Sequence, residues 1–260
     1  MDIVDAYTHC GITKYEPIEQ VRRVMDAAGV KRAVLTQHMG EFDNTYIDGV
    51  VASDSEHFVG VCLVDHTRPD AASELKTIAQ SGHFKGIRLT ADSINTGIDC
   101  WKTAADLDLT IVLYAPDGLS GFMEAIVAFL ESNPKCNIVL THLGTPMLDQ
   151  DPDFKEYGNV FQLADFDNVY YQVSGMKMFC PFPHAPLYSQ LEEAAKTFGA
   201  SRLLWGSNYP VVGDQQDYMN DLLLLLDGKL PFPESAIADI AGGNAGELWF
   251  SAPHSPSAID

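Results

Sequence analysis

Hydrophobic residues in this chain fall into short continuous runs, separated by stretches of helical period. The runs "DIVDAY" (2–7), "KRAVLTQH" (31–38), "HFVGVCLVD" (57–65) and "FKGIRLTA" (84–91) predict four strands. "LTIVLYA" (109–115), "NIVLTHLG" (137–144), "NVYYQVSG" (168–175) and "RLLWGS" (202–207) predict four more. Runs such as "NIVLTH" do not alternate apolar with polar residues, which indicates burial on both faces, as in a parallel sheet. "PIEQVRRVMDAAG" sets Ile18, Val21, Val24 and Met25 at helical spacing and stops at Gly29, a good helix terminator. Further helices are predicted in "DAASELKTIAQSG", "IDCWKTAADLD", "GFMEAIVAFLESN", "APLYSQLEEAAKTFG" and "DYMNDLLLLLDG". Eight β/α units within a chain of 260 residues predict an α/β fold, the closed (β/α)8 TIM barrel. An open doubly wound sheet is the alternative, weakened by the lack of a G-x-G-x-x-G turn after the first strand. The expectation is one domain over 1–260, with a loose C-terminal tail from about residue 251.

Composition narrows the partners. A hydrophobic fraction of 46% is ample for a buried core. A net charge of −20 argues against nucleic acid, which needs a basic face. No apolar run is long enough to span a membrane, and the start "MDIVDAYTHCG" lacks the basic and apolar regions of a secretory signal. The five cysteines are scattered and form no CxxC pair, so a reducing, cytoplasmic location is expected.

Chemistry in such a barrel sits at the C-terminal ends of the strands. Those ends carry Tyr7 and His9, Gln37 and His38, Asp65 and His66, Arg88, Tyr114, His142, Gln172 with Ser174, and Asn208 with Tyr209. A lone histidine is ordinarily a hydrogen-bonded structural group. Four of the eight histidines at strand ends would converge on one mouth, as bases, proton shuttles or metal ligands. Arg88 suits the carboxylate of a small-molecule substrate through a bidentate contact, or a structural ion pair. The apolar loop "GMKMFCPFPHAP", with Met176, Met178, Phe179 and Phe182, suits a pocket roof, a partner surface or plain packing. The five consecutive leucines Leu222 to Leu226 cover every side of a helical turn, which predicts burial beyond the barrel-facing side and a dimer or hetero-oligomer.

The segments "DAYTHCG", "MDAAGVKRAVLTQ", "FKGIRLTA", "IVLTHLG", "NVYYQVSG", "WGSNYP" and "GGNAGELWF" resemble, in this order, the amidohydrolase superfamily, most closely its amidohydrolase-related branch of small barrels. The resemblance covers nearly the whole chain. It implies a metal-dependent site with His-x-His after the first strand, histidines after the fifth and sixth, and an aspartate after the eighth. Here those positions are Tyr7 and His9, Tyr114, His142 and Asn208. An amide is a neutral, weaker ligand than a carboxylate and takes no proton near neutral pH. The resemblance therefore implies a degenerate centre holding at most one divalent metal (Zn, Fe or Mn). His9 and His142 would be its ligands, with His38, His66 or Tyr7 as a third. His142, Asn208, Arg88 and Tyr7 are the catalytic candidates.

Two main readings follow. In the first, the chain is the eroded partner of a metal-containing homologous subunit in a two-subunit monooxygenase acting on a small substrate. In the alternative, it is a hydrolase of a lactone, ester or amide, metal-independent or with one metal.

Overall fold

The computed structural model describes residues 1–151 and 153–251, so the expected tail lies outside the described residues. The strands are β1 (Val4–Thr8), β2 (Arg32–Thr36), β3 (Phe58–Cys62), β4 (Phe84–Thr90), β5 (Thr110–Tyr114), β6 (Ile138–Leu140), β7 (Val169–Val173) and β8 (Leu203–Trp205). They form one eight-stranded sheet in chain order, every neighbouring pair parallel. Around it run α1 (Ile18–Ala28), α2 (Thr45–Ser53), α3 (Ala71–Ala79), the short α4 (Ser93–Thr96), α5 (Ile98–Asp106), α6 (Met123–Ser132), α7 (Tyr188–Thr197) and α8 (Gln215–Leu226). This is the (β/α)8 barrel.

Two apolar layers hold it. Inside the strands, Val4, Ala6, Val34, Val59, Val61, Val112, Val139 and Leu204 pack together, with Trp249 completing the cluster. Between strands and helices lies the larger layer, to which α1 contributes the four residues of its helical stripe, Ile18, Val21, Val24 and Met25. Full burial of each such side chain contributes roughly 1.5–3 kcal/mol. Gly29 ends α1 at φ 72, the left-handed conformation that glycine adopts without steric cost. Among the described residues no helix is long and apolar enough to cross a membrane.

The seam between β1 and β8 is closed by other means than a regular ladder. At the mouth, the Asn208 N–H donates to the Tyr7 carbonyl and the His9 N–H to the Tyr209 carbonyl, both at 2.8 Å. Just below, the Asp5 carboxylate accepts from the backbone and hydroxyl of Ser207, at 2.8 and 2.6 Å. At the base, the helical segment Asp239–Gly243 wedges against β1, and a Cβ on Gly242 would overlap the Asp2 carbonyl. The Asn244 amide then donates to Ala200 and Leu203 at 2.7 and 2.8 Å. The closing "GGNAGELWF" is thus a structural plug.

The leucine run is accounted for largely within the chain. Leu222, Leu224 and Leu225 are buried and Leu226 packs on the core, leaving Leu223 exposed. The apolar circumference of α8 therefore supplies less support for an oligomer than the sequence suggests.

Candidate active site

The strand ends aim six residues at one mouth. β1 has a register irregularity between Asp5 and Thr8, and Tyr7 and His9 both face the centre. The Tyr7 ring lies edge-on to His9 and His142, at centroid distances of 5.0 and 4.9 Å. Tyr114 meets His142 at 5.7 Å. The Arg88 guanidinium stands 5.7 Å from the Tyr7 ring and 5.0 Å from the Tyr114 ring. The Asn208 side chain faces His9 and donates to the Met178 sulfur at 3.2 Å.

Hydrogen bonding sets the tautomers of both imidazoles. His9 Nδ1 lies 2.6 Å from the Thr36 carbonyl, which only accepts, so Nδ1 carries the proton and Nε2 the lone pair. For His142 the chain of donors is longer. Gln172 Nε2 donates to the Ala6 carbonyl at 3.1 Å, which leaves its Oε1 to accept the Ser174 hydroxyl at 3.1 Å. With its proton spent there, Ser174 Oγ accepts from His142 Nδ1 at 3.0 Å. His142 Nε2 is therefore also an unprotonated nitrogen. Burial, reinforced by the Arg88 charge, keeps both rings neutral: His9 is pushed down to about 3, and His142 lies well below the usual imidazole range.

Two donors face this pair without an acceptor. The Tyr7 hydroxyl and Arg88 Nε are buried and unpartnered. Burial pushes Tyr7 up to about 12, so its hydroxyl keeps its proton at neutral pH. Arg88 donates once, to the Gln37 carbonyl at 3.2 Å, and is absent from the ion pairs of the described residues. The structural ion pair allowed by the sequence is thus not formed. A buried cation and an orphaned hydroxyl are costly unless an acceptor reaches them.

The backbone after β6 is unusual. His142, Leu143, Gly144 and Thr145 have φ of 50, 61, 67 and 59, a full left-handed turn. Such a conformation costs roughly 1–2 kcal/mol for each residue with a side chain. Burial of Leu143 and the Tyr157 hydroxyl, which donates to the Leu143 carbonyl, hold the turn in place. Asn208 is also left-handed, at φ 54. Strain concentrated at two strand ends of one mouth marks a functional site.

Of the proposed metal ligands, the structure brings His9 and His142 together. His38 stands one ring further out, 5.2 Å from Tyr15, which stacks on His9 at 5.1 Å. His66 is half-buried and packs against the chain at Gly97. Asp5, the nearest buried carboxylate, is committed to Ser207 and the Tyr7 N–H. Among the described residues no group of three or more histidine, cysteine, aspartate or glutamate side chains is placed to hold a metal. Two imidazoles and a neutral amide do not fit a tightly held zinc, which takes about three protein ligands. Tyr15, at φ 68 in the loop before α1, was not legible as a site residue, since no period or motif marks it.

Comparison with known proteins agrees with this architecture. The chain is 26% identical over 204 residues to L-fucono-1,5-lactonase of Burkholderia ambifaria, covering 74% of this chain and 69% of that protein. Among solved structures, it resembles an Acinetobacter baumannii protein assigned as a 2-pyrone-4,6-dicarboxylic acid hydrolase, with citric acid bound. The TM-score is 0.78 and the identity 18%, over 95% of this chain and 99% of that one. The 2,6-dihydroxybenzoate decarboxylase from Rhizobium aligns at TM-score 0.73 and 14% identity, over 95% and 98% of the two chains. The profile of the amidohydrolase family matches residues 4–250, and the chain belongs to that family.

Proposed function

We propose that this protein is a hydrolase that opens a lactone or ester bearing a carboxylate, using imidazole rather than a resident metal. The observation that carries this reading is the pairing of two orphaned donors, Tyr7 Oη and Arg88 Nε, with the free Nε2 of His142. The relatives named above include a lactonase and an assigned pyrone hydrolase, and they favour the hydrolase alternative over the supporting-subunit reading.

Each group has a role set by its chemistry. Arg88 takes the substrate carboxylate, satisfying its unused N–H groups. The protonated Tyr7 hydroxyl donates to the scissile carbonyl and more strongly to the oxyanion that forms from it. His142 Nε2 accepts a proton from water as the oxygen attacks the carbonyl carbon. The same proton then passes to the departing alkoxide, which leaves as an alcohol, so the imidazole is regenerated. His9, with Asn208 beside it, positions the water. Burial is the larger cause of the low basicity of His142, and the Arg88 charge the second. A bound carboxylate cancels that second cause, so the substrate itself raises the basicity of the group that attacks it.

The test compares a carboxylate-bearing lactone with its neutral methyl-ester analogue. A charge-assisted hydrogen bond is worth about 1.5–3 kcal/mol, so kcat/KM should favour the anion by roughly 10- to 100-fold. Arg88→Met should erase the preference. Equal turnover of the two compounds by the wild type would sink the proposal.

A further inference from the structure

A groove of about 240 Å³ opens beside the mouth, between the loops that follow β6 and β7, and Tyr114 and Met178 belong to both. Its other walls include Thr145, Met147, Leu148 and Phe179. Among the described residues, Met147, Leu148 and Phe179 are half-buried at the groove and Met178 is 43% exposed. The polar members Asp149 and Gln150 lie at the exposed rim. Unsubstituted, such a surface exposes apolar area to water at a cost of ~25 cal/mol per Å².

Thr145 supplies an independent observation. It is 5% exposed, and its hydroxyl has no partner. It is also β-branched and left-handed at φ 59, an outlier for that residue class. The turn that holds it places His142 at the mouth and Thr145 on the wall of the groove, a wall shared with the adjoining cavity lined by Gly118 and Tyr157. Tyr114 joins mouth and groove physically: its ring lies 5.0 Å from Arg88 and 5.7 Å from His142.

We infer that this groove is a specificity subsite, taking an apolar arm of the substrate about the size of a short alkyl chain or a single ring. The inference rests on the hydrolase reading for the identity of the mouth, where the carboxylate sits on Arg88. The arm then runs past Tyr114, between Met147 and Leu148 on one side and Met178 and Phe179 on the other. Methionine suits such a wall, because its unbranched thioether adapts to different shapes.

Calorimetry with acetate, butanoate and hexanoate reads the subsite without any turnover. Each buried methylene contributes about 0.8 kcal/mol, so affinity should rise about fourfold per added carbon until the groove is filled. Leu148→Asn and, separately, Met147→Asn, which add polarity without charge, should flatten the series while acetate, too short to reach the groove, binds as before, which also reports that the variants are folded. Affinity independent of chain length in the wild type, or no binding of hexanoate at millimolar concentration, overturns the inference. Lactone hydrolysis by the same preparation is read separately. A length-dependent series without hydrolysis removes the hydrolase reading and leaves the subsite, whereas hydrolysis with a flat series does the reverse.

Discussion

Asn208 stands where the sequence resemblance implies an aspartate, and its surroundings show what an amide meets there. It is left-handed at φ 54, a conformation that asparagine tolerates, and it sits between His9 and the Met178 sulfur. The buried acid of this region is instead Asp5, which is structural: it holds Ser207, and Ser207 in turn receives the Tyr209 N–H at 2.9 Å. Burial raises Asp5 from an ordinary 3.8 to about 6, against the hydrogen bonds from Ser207 and Tyr7. The folded chain therefore binds this proton more readily than the unfolded chain. Its stabilising contribution is complete below pH 3.8 and is lost as pH rises through about 6. His9, pushed down to about 3, and His142, held well below the usual imidazole range, act in the opposite sense, so the wild-type curve alone mixes all three. Asp5→Asn separates them. The stability of wild type relative to this variant should fall by about 2 kcal/mol between pH 4 and 7, at about 1.36 kcal/mol per unit. Urea unfolding at several pH values measures it, and a difference that does not change with pH would count against a raised Asp5.

The β1–β8 seam and helix α2 give contrasting predictions for one substitution. Gly242→Ala drives a Cβ into the Asp2 carbonyl where the C-terminal segment wedges against β1, and nothing flexible is there to yield. It should cost about 1–3 kcal/mol, as overpacking does. Gly49 lies exposed within α2, with open space where its Cβ would be, so Gly49→Ala should stabilise by about 0.4–1 kcal/mol. Thermal unfolding that moves both variants in the same direction would contradict this reading of the seam. The two cases also show what a sequence discloses. The eight strands were legible, because buried parallel strands are continuous apolar runs. The ends of those strands were legible too, so Tyr7, His9, Arg88, Tyr114, His142 and Asn208 could be placed together. Helix α2 was missed: its glycine and β-branched valines weaken the helical signal, although Ile47, Val50 and Val51 keep helical spacing. The left-handed turn at His142–Thr145 was not legible either, since only one of its four residues is glycine and tertiary packing imposes the rest. The seam plug was read as a family signature, with no hint of its mechanical role.

Taken together, the barrel closes around a mouth that is buried, poor in carboxylate and rich in aromatic rings. The −20 net charge of the chain is carried elsewhere, which makes Arg88 a local exception able to capture an anion. Neutral imidazoles, a protonated tyrosine and an unpaired guanidinium form a set complementary to a carboxylate-bearing acyl compound, whereas a divalent ion finds only two nitrogen ligands there. The most direct measurement is hydrolysis of a carboxylate-bearing lactone by protein stripped with chelator and verified metal-free by elemental analysis. Turnover should persist after stripping, and His142→Ala should lower kcat by roughly 10²–10⁴-fold, the usual contribution of a general base. Turnover that vanishes on chelation and returns in proportion to added zinc, iron or manganese would contradict the metal-independent reading.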